Sequence, residues 1–318
     1  MRETPTRLNG EYDKIEPWES PSGASLCVYH KGAKGKACGV IHINHGLADH
    51  GGRYARFANA LSAAGFHVYA HDHRGHGATT APDSPQAVFG QGDGWAKVLD
   101  DIRFVGSRIR DKHPGLPVIY FGHSMGAILG YNVLLKWPES YDAFALWNGA
   151  VSKSPQTSLL KAVLAVENLF KGGTGKSVVT GLTFGGFNKA FKPNQTSADW
   201  LTKDVDEARA YEDDPDCGWD ASTSMWKGLA RGIEFGASDQ GIKDIPKTLP
   251  IYLLGGDVDP SVAQGKAILD LAGRLQAAGL ENVKTEIRSN GRHEALNEPK
   301  EEREAVMQGF VDWAKSIT

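Results

Sequence analysis

The sequence predicts an α/β protein: a mostly parallel sheet with helices on both faces. Short apolar runs rich in β-branched and aromatic residues recur at 24–29, 39–44, 66–71, 118–122, 144–148, 251–255 and 283–288. Helical periodicity fills the spaces between them. At 54–64 it places Phe57, Ala60, Leu61 and Ala64 on one face, and at 95–112 it does the same for Val98, Ile102, Val105 and Ile109. Further helical patterns lie at 127–137, 263–278 and 299–317. Strand and helix in alternation imply parallel strands joined by helical crossovers, and such sheets carry their reactive groups in loops at the carboxyl ends of the strands.

The alternation breaks between the runs at 144–148 and 251–255. There the chain has the glycine clusters Gly172-Gly173-Thr174-Gly175 and Gly185-Gly186, the tryptophans Trp200, Trp219 and Trp226, and weak helical periodicity at 159–170. A stretch this long is uncommon without a function. It reads as a largely helical cap at 151–245, inserted between a first part of the core (1–150) and a second (246–318). The aromatic residues Phe170, Phe184, Phe187, Phe191, Trp200 and Trp226 either form the cap's own core or line a pocket beneath it.

Composition narrows the partners. Of the 318 residues, 41% are apolar and 23% charged, which suits a soluble domain, and a net charge of −3 without long runs of one sign disfavours nucleic acid. Residues 1–19 lack the apolar core of a secretory signal, and no apolar run approaches the roughly 18 residues of a membrane span. The three cysteines, Cys27, Cys38 and Cys217, are widely spaced and fit reduced thiols. A cytoplasmic protein without a stable membrane anchor is expected, with transient lipid contact through the cap left open.

The stretch Gly122-His123-Ser124-Met125-Gly126 ends a strand and opens a helix. In this context Gly-x-Ser-x-Gly is a nucleophile elbow: the serine occupies a strained turn above the sheet, and the flanking glycines clear room for neighbouring chains. A serine hydroxyl needs a base, and the base an orienting acid. In elbow-bearing sheets these follow in the order serine, acid, histidine. Of eleven histidines only His293 follows Ser124. The acid belongs after the run at 251–255, in Gly255-Gly256-Asp257-Val258-Asp259-Pro260, and Asp259 is preferred over Asp257 because Asp-Pro sits at the loop apex. The oxyanion donors are expected to be the backbone N–H groups of Met125, just after the nucleophile, and Leu47, in the loop after 39–44.

Other motifs weigh less. "HDHRGHG" at 71–77 suggests a metal site, but its Asp72 and Arg74 better suit holding neighbouring loops together. "GGTGKS" at 172–177 lacks the first glycine of a phosphate loop, where Phe170 stands, and "HEALNE" lacks the second histidine of a zinc protease. No metal and no cofactor is expected.

The motifs "HGLADHGGRY" at 45–54, "DHRGHG" at 72–77, "GHSMG" at 122–126, "GGDVDP" at 255–260 and "RHEALNE" at 292–298 together resemble the α/β-hydrolase superfamily, and within it the monoacylglycerol lipase and lysophospholipase group. "YEDDPDCGW" at 211–219 is similar to a stretch those lipases carry, with its cysteine one residue early. Asp49 stands where such proteins commonly have Glu. The resemblance implies a cofactor-free serine hydrolase of single-chain acyl esters, with Ser124, Asp259 and His293 as the triad and Leu47 and Met125 as oxyanion donors. Two rivals stand beside it. One is an amide-cleaving hydrolase of the proline-aminopeptidase type, with Glu207, Glu212 or Asp213 receiving a free amine. The other is a non-catalytic binding protein on the same fold.

Overall fold

The computed structural model describes residues 11–152 and 155–318, with the side chains of 155–159 left aside. The first ten residues of the stretch read for a leader lie outside the described residues. One eight-stranded sheet organises the chain. Its strands are β1 (Lys14–Glu19), β2 (Ser25–Lys31), β3 (Gly39–Asn44), β4 (Phe66–His71), β5 (Val118–His123), β6 (Ala143–Trp147), β7 (Ile251–Gly256) and β8 (Val283–Arg288). They lie in the order β1-β2-β4-β3-β5-β6-β7-β8. β2 runs antiparallel to both neighbours, and every pair from β4 to β8 is parallel.

The parallel strands are apolar on both sides because both faces are covered. Along β5, Val118 and Tyr120 join one core, while Ile119 and Phe121 join the other. The first core is closed by α2 (Gly94–Lys112), α3 (Met125–Lys136) and α8 (Lys266–Ala277). The second is closed by α1 (Ala55–Ala63) and α9 (Lys300–Lys315). Along β2, β5, β6 and β7 the two cores alternate residue by residue, as the pleat requires. Between β6 and β7 lie α4 (Pro155–Lys171), α5 (Val178–Asn188), α6 (Val205–Asp213) and α7 (Thr223–Ala237). Of these α7 packs on α3 and α4, and so ties the insertion to the helix that follows Ser124.

Histidines populate the interior to an unusual degree. His42, His45, His71, His73 and His76 are all buried. His42 bonds Tyr141 Oη at 2.8 Å and His71 at 2.9 Å, and the His73 backbone N–H donates to His45 Nε2 at 2.9 Å. Burial pushes His42 and His45 down to about 3 and holds His71, His73 and His76 well below the ordinary imidazole range. Beside them the carboxylate of Asp72 accepts from the N–H groups of Gly51 and Ala78, each at 2.8 Å, and from Tyr29 Oη at 3.0 Å. Buried Arg74 donates to Asp101 at 2.6 Å. Asp72 and Arg74 thus join the loops around them by direct bonds.

These histidines set a pH dependence of stability. Their folded values lie below the unfolded one, so the unfolded chain takes up protons that the native state refuses as pH falls below about 6.5. His50 acts in the opposite sense: burial disfavours its charge, but Asp214, Asp72 and Asp49 together outweigh burial and raise it. His30, His67, His113 and His123 are lowered as well, so nine groups against one leave a net loss. Urea unfolding measured from pH 7.5 to 5 should show stability flat at the top and falling by about 6 kcal/mol per pH unit or more near pH 5.5. A flat profile down to pH 5 would contradict the neutral buried state.

Candidate active site

The site is assembled where β3, β5, β6, β7 and β8 end. Ser124 lies between β5 and α3 with φ 54° and ψ −116°, a conformation that costs a non-glycine residue energy. The surroundings hold it there. A Cβ on Gly122 would lie 2.4 Å from the Gly126 carbonyl oxygen, and one on Gly126 would lie 2.1 Å from that of Asn44. No side chain fits at either position, so β3, the elbow and α3 touch backbone to backbone.

His293 leaves the loop after β8, and its Nδ1 lies 2.8 Å from Asp259 Oδ2. Ser261 Oγ is 2.9 Å from the same nitrogen. Asp259 is fully buried and also accepts from Asn148 Nδ2 and from the Ser261 N–H, each at 2.8 Å. Burial alone would raise its pKa, but His293, Asn148 and Ser261 prevail and hold the carboxyl below its ordinary range. Asp257, the other candidate acid, points to solvent. Between the two aspartates, it is Asp259 that the structure brings to His293.

Ser124 and His293 line one cavity of about 510 Å³. No direct hydrogen bond joins them among the described residues; such bonds commonly tighten only when substrate is bound. Leu47 and Met125 line the same cavity, and neither backbone N–H is engaged by a described residue. Its remaining wall is largely apolar and comes mainly from the insertion: Leu160, Leu182, Phe184, Phe187, Trp200, Trp226, Leu229 and Ile233, with Ile128 from α3. Of the six cap aromatics singled out in the sequence, Phe184, Phe187, Trp200 and Trp226 reach the cavity. Phe170 is 84% exposed, and Phe191 lies under the Arg292 guanidinium at 4.4 Å.

A buried charge cluster supports the floor. Arg53 donates to both carboxylate oxygens of Glu294 at 2.8 Å and to Asp49 at 3.0 Å. Asp49 also accepts from the N–H of Gly46 at 3.3 Å and of His50 at 2.8 Å, and from Tyr54 Oη at 3.0 Å. Burial opposes charge on Asp49 and Glu294, yet Arg53 pulls both carboxyls below their usual range. The short Asp49 side chain therefore ties the loop carrying Leu47 to the residue beside His293. His123 joins the same region: its Nε2 lies 3.0 Å from the His293 carbonyl oxygen, and burial pushes it down to about 4.

The insertion docks on both of these loops. The Ala48 carbonyl accepts from the Gly218 N–H at 3.0 Å and Tyr211 Oη at 3.1 Å, so the 211–219 stretch holds a turn in which Ala48 has φ 53°. Trp200 lies against the His293 ring with centroids 4.7 Å apart, and the Glu294 N–H donates to the Leu201 carbonyl at 2.7 Å. The sequence reading did not assign roles to Arg53, Asn148, Ser261 or Glu294. Arg53 and Glu294 lie inside the motifs that flank the site, and that position was the available signal. Nothing local marked Asn148 or Ser261.

The family Hydrolase_4, described as serine aminopeptidase, S33, matches residues 35–300. The chain belongs to that family. It is an α/β-hydrolase, a serine hydrolase of the monoacylglycerol-lipase-like kind. It is 26% identical over 280 residues to a monoacylglycerol lipase of Mycolicibacterium smegmatis, covering 87% of this chain and 88% of the relative. In three dimensions it is similar to a thermostable carboxyl esterase from Bacillus coagulans, with a TM-score of 0.83 at 23% identity, covering 96% of this chain and 98% of the other. A soluble variant of monoglyceride lipase from Saccharomyces cerevisiae matches with a TM-score of 0.75 at 16% identity, covering 99% of both chains. At these identities the structural likeness speaks for the fold. Among the described residues no helix is long and apolar enough to cross a membrane.

The charge cluster can be tested by itself. Replacing Arg53 by Ala leaves two buried carboxylates without their cation and should lower stability by about 3–5 kcal/mol in urea unfolding. Adding Asp49→Asn and Glu294→Gln to Arg53→Ala should recover part of that loss. A triple variant no more stable than Arg53→Ala would locate the cost in packing instead.

Proposed function

We propose that the protein hydrolyses carboxylic esters bearing a single acyl chain, such as monoacylglycerols or lysophospholipids, and that residues 151–245 act as the cap over the site. The observation that carries this reading is the cavity: Ser124 and His293 share it with a largely apolar wall, at a volume typical of small-ligand pockets. Kinship with a monoacylglycerol lipase supports the same substrate class.

In this reading Ser124 Oγ attacks the ester carbonyl carbon while His293 takes its proton. Asp259 holds the imidazole through Nδ1–H and stabilises the imidazolium. The Leu47 and Met125 N–H groups receive the oxyanion. The tetrahedral species collapses, the alkoxide leaves with the proton from His293, and the acyl group stays on Ser124. Water, deprotonated by His293, then attacks the acyl-enzyme, releasing the acid and restoring the serine. No step calls on a cofactor.

The family's description keeps an amide substrate in view. Against it, Glu207 pairs with Arg56, Glu212 accepts from the Ser197 N–H, and neither they nor Asp213 line the cavity. The carboxylates that do, Asp49 and Glu294, are already bound to Arg53. A free amine therefore finds no unpaired carboxylate there among the described residues.

Comparing kcat/KM for p-nitrophenyl esters of increasing acyl length with that for aminoacyl anilides tests the proposal. Activity should rise from acetate to a maximum at medium or long chains, and Ser124→Ala should reduce it by roughly 10⁴-fold or more. Preference for acetate, or for the anilides, would overturn the single-chain ester reading. Retained reactivity of Ser124→Ala toward an active-site phosphonate would overturn the assignment of the nucleophile.

Transient lipid contact belongs to the same proposal. Leu169 and Phe170 near the end of α4 are 82% and 84% exposed. Scattered apolar residues need no explanation, but two adjacent large ones on the element over the cavity suit a lipid surface. Leu169→Ser with Phe170→Ser should weaken vesicle binding by roughly tenfold or more while leaving turnover of a dissolved short ester unchanged. Unaltered vesicle binding would count against lipid contact at this edge.

A further inference from the structure

Three histidines that the proposed reaction does not use meet at the opposite end of the sheet. His30 stands near the end of antiparallel β2, His67 near the start of β4, and His113 just after α2. His67 pairs with Val40 and Val40 with Val118, the first residue of β5, whereas Ser124 follows the last residue of β5. The cluster is thus separated from the nucleophile by the length of the central strand.

One ring nitrogen from each histidine lies within 4.8 Å of the other two. The His67 and His113 ring centroids are 4.2 Å apart, and His30 stacks on His67 at 5.8 Å. The His30 Nε2 atom is buried and finds no hydrogen-bond partner among the described residues. An orphaned buried imidazole nitrogen calls for an explanation. The existing bonds are few: Tyr69 Oη lies 2.9 Å from His113 Nε2, and the Ala33 N–H donates to His67 Nδ1 at a long 3.3 Å. With Tyr69 on Nε2, His113 would ligate through Nδ1, and a hydrogen bond on the non-ligating nitrogen orients a ligating imidazole. Burial lowers all three pKa values, that of His113 to about 4, so the rings are neutral at pH 7. A neutral imidazole has a single lone pair; the one on His67 Nδ1 is held only by the long bond from the Ala33 N–H and would be exchanged for the ion. Asp13 and Glu16 contribute negative charge toward His30, and Lys112 opposes them.

We propose that His30, His67 and His113 form a divalent transition-metal site, with Zn²⁺ as the reference occupant and water completing its coordination. Three imidazoles suit Zn²⁺, Cu²⁺ and Ni²⁺, whereas Mg²⁺ and Ca²⁺ prefer oxygen. Zn–N bonds of about 2.0–2.1 Å in a tetrahedral arrangement need ring nitrogens roughly 3.4 Å apart, so the rings close inward by about an ångström on binding. The ion would clamp β2, β4 and the end of α2 together, and its effect is on stability.

The test uses untagged full-length protein stripped with a chelator. Zn²⁺ titration followed by calorimetry should give one saturable site, and Zn²⁺ at about 100 times its Kd should raise Tm by about 4 °C. Mg²⁺ should leave Tm unchanged. Co²⁺ bound at one equivalent should develop the visible absorption of a low-symmetry nitrogen site. The double variant His67→Gln/His113→Asn should lose the Zn²⁺ shift and the Co²⁺ spectrum, with circular dichroism in chelator showing that it is folded. Absence of saturable Zn²⁺ binding to the wild type would overturn the proposal. So would binding that persists in the folded double variant, since the ion would then lie elsewhere, for instance at His50, Asp214 and Cys217.

Discussion

The close approach of three backbone segments at Ser124 is the constraint on which the rest of the site depends. β3 ends against the first turn of α3 with room for a hydrogen atom and nothing larger at Gly126, and the strand before the serine meets the same turn at Gly122. Only because these contacts are so tight can Ser124 be kept in its strained conformation. The central strands must then pack flat against α3, which accounts for a helix buried almost all round: Met125 through Leu135 are all buried. The strain at one residue is offset by the apolar burial of a whole element.

A second dependence follows from where the insertion lands. It reaches the two loops that flank Ser124 and bonds to both, at the Ala48 carbonyl and along the Trp200–Thr202 stretch. Arg292 strengthens the second contact by donating to the Thr202 carbonyl at 2.8 Å. Below the docked insertion, Arg53 joins the two loops to each other through Asp49 and Glu294. The two sets of bonds form a closed circuit: insertion, first loop, Arg53, second loop, insertion. Movement of any part is resisted by the others, so a shift of the insertion would be felt at the backbone around Leu47 as well as at His293.

Much of this was legible in the sequence because it is local. The central strands are continuous apolar runs, and β3, β4 and β8 begin and end where those runs do. The elbow, the lone downstream histidine and the Asp-Pro loop are marked by residue type and order. What escaped was non-local or weakly patterned. β1 contains Pro17 and charged residues, and reads as a strand only once β2 is there to pair with it at the sheet edge. Glycines interrupt the pattern of two of the insertion's helices, α5 and α7, and α7 is held by its packing on α3 and α4. Asn148 and Ser261 bond to Asp259 or His293 from separate strand ends, a meeting that exists only in the folded chain. Asp49 read as a shortened family residue; in the structure its length suits simultaneous bonds to the Gly46 N–H and Arg53.

Electrostatics around His293 carry the argument one step further. In the proposed mechanism its ring becomes cationic each time a proton leaves Ser124. Asp259 stands at one nitrogen as a carboxylate, and Asn148 and Ser261 stabilise that charge. His123 is close enough to oppose a second positive charge, with ring centroids 4.8 Å apart, but its own burial keeps it neutral above pH 5. Arg53 is a nearby full cation, and it faces two carboxylates. The cluster formed by Arg53, Asp49 and Glu294 therefore presents a net negative charge to the imidazole instead of a positive one. A neutral His123 and an over-compensated Arg53 have the same consequence: neither adds positive charge against the imidazolium, which the Asp259 carboxylate balances.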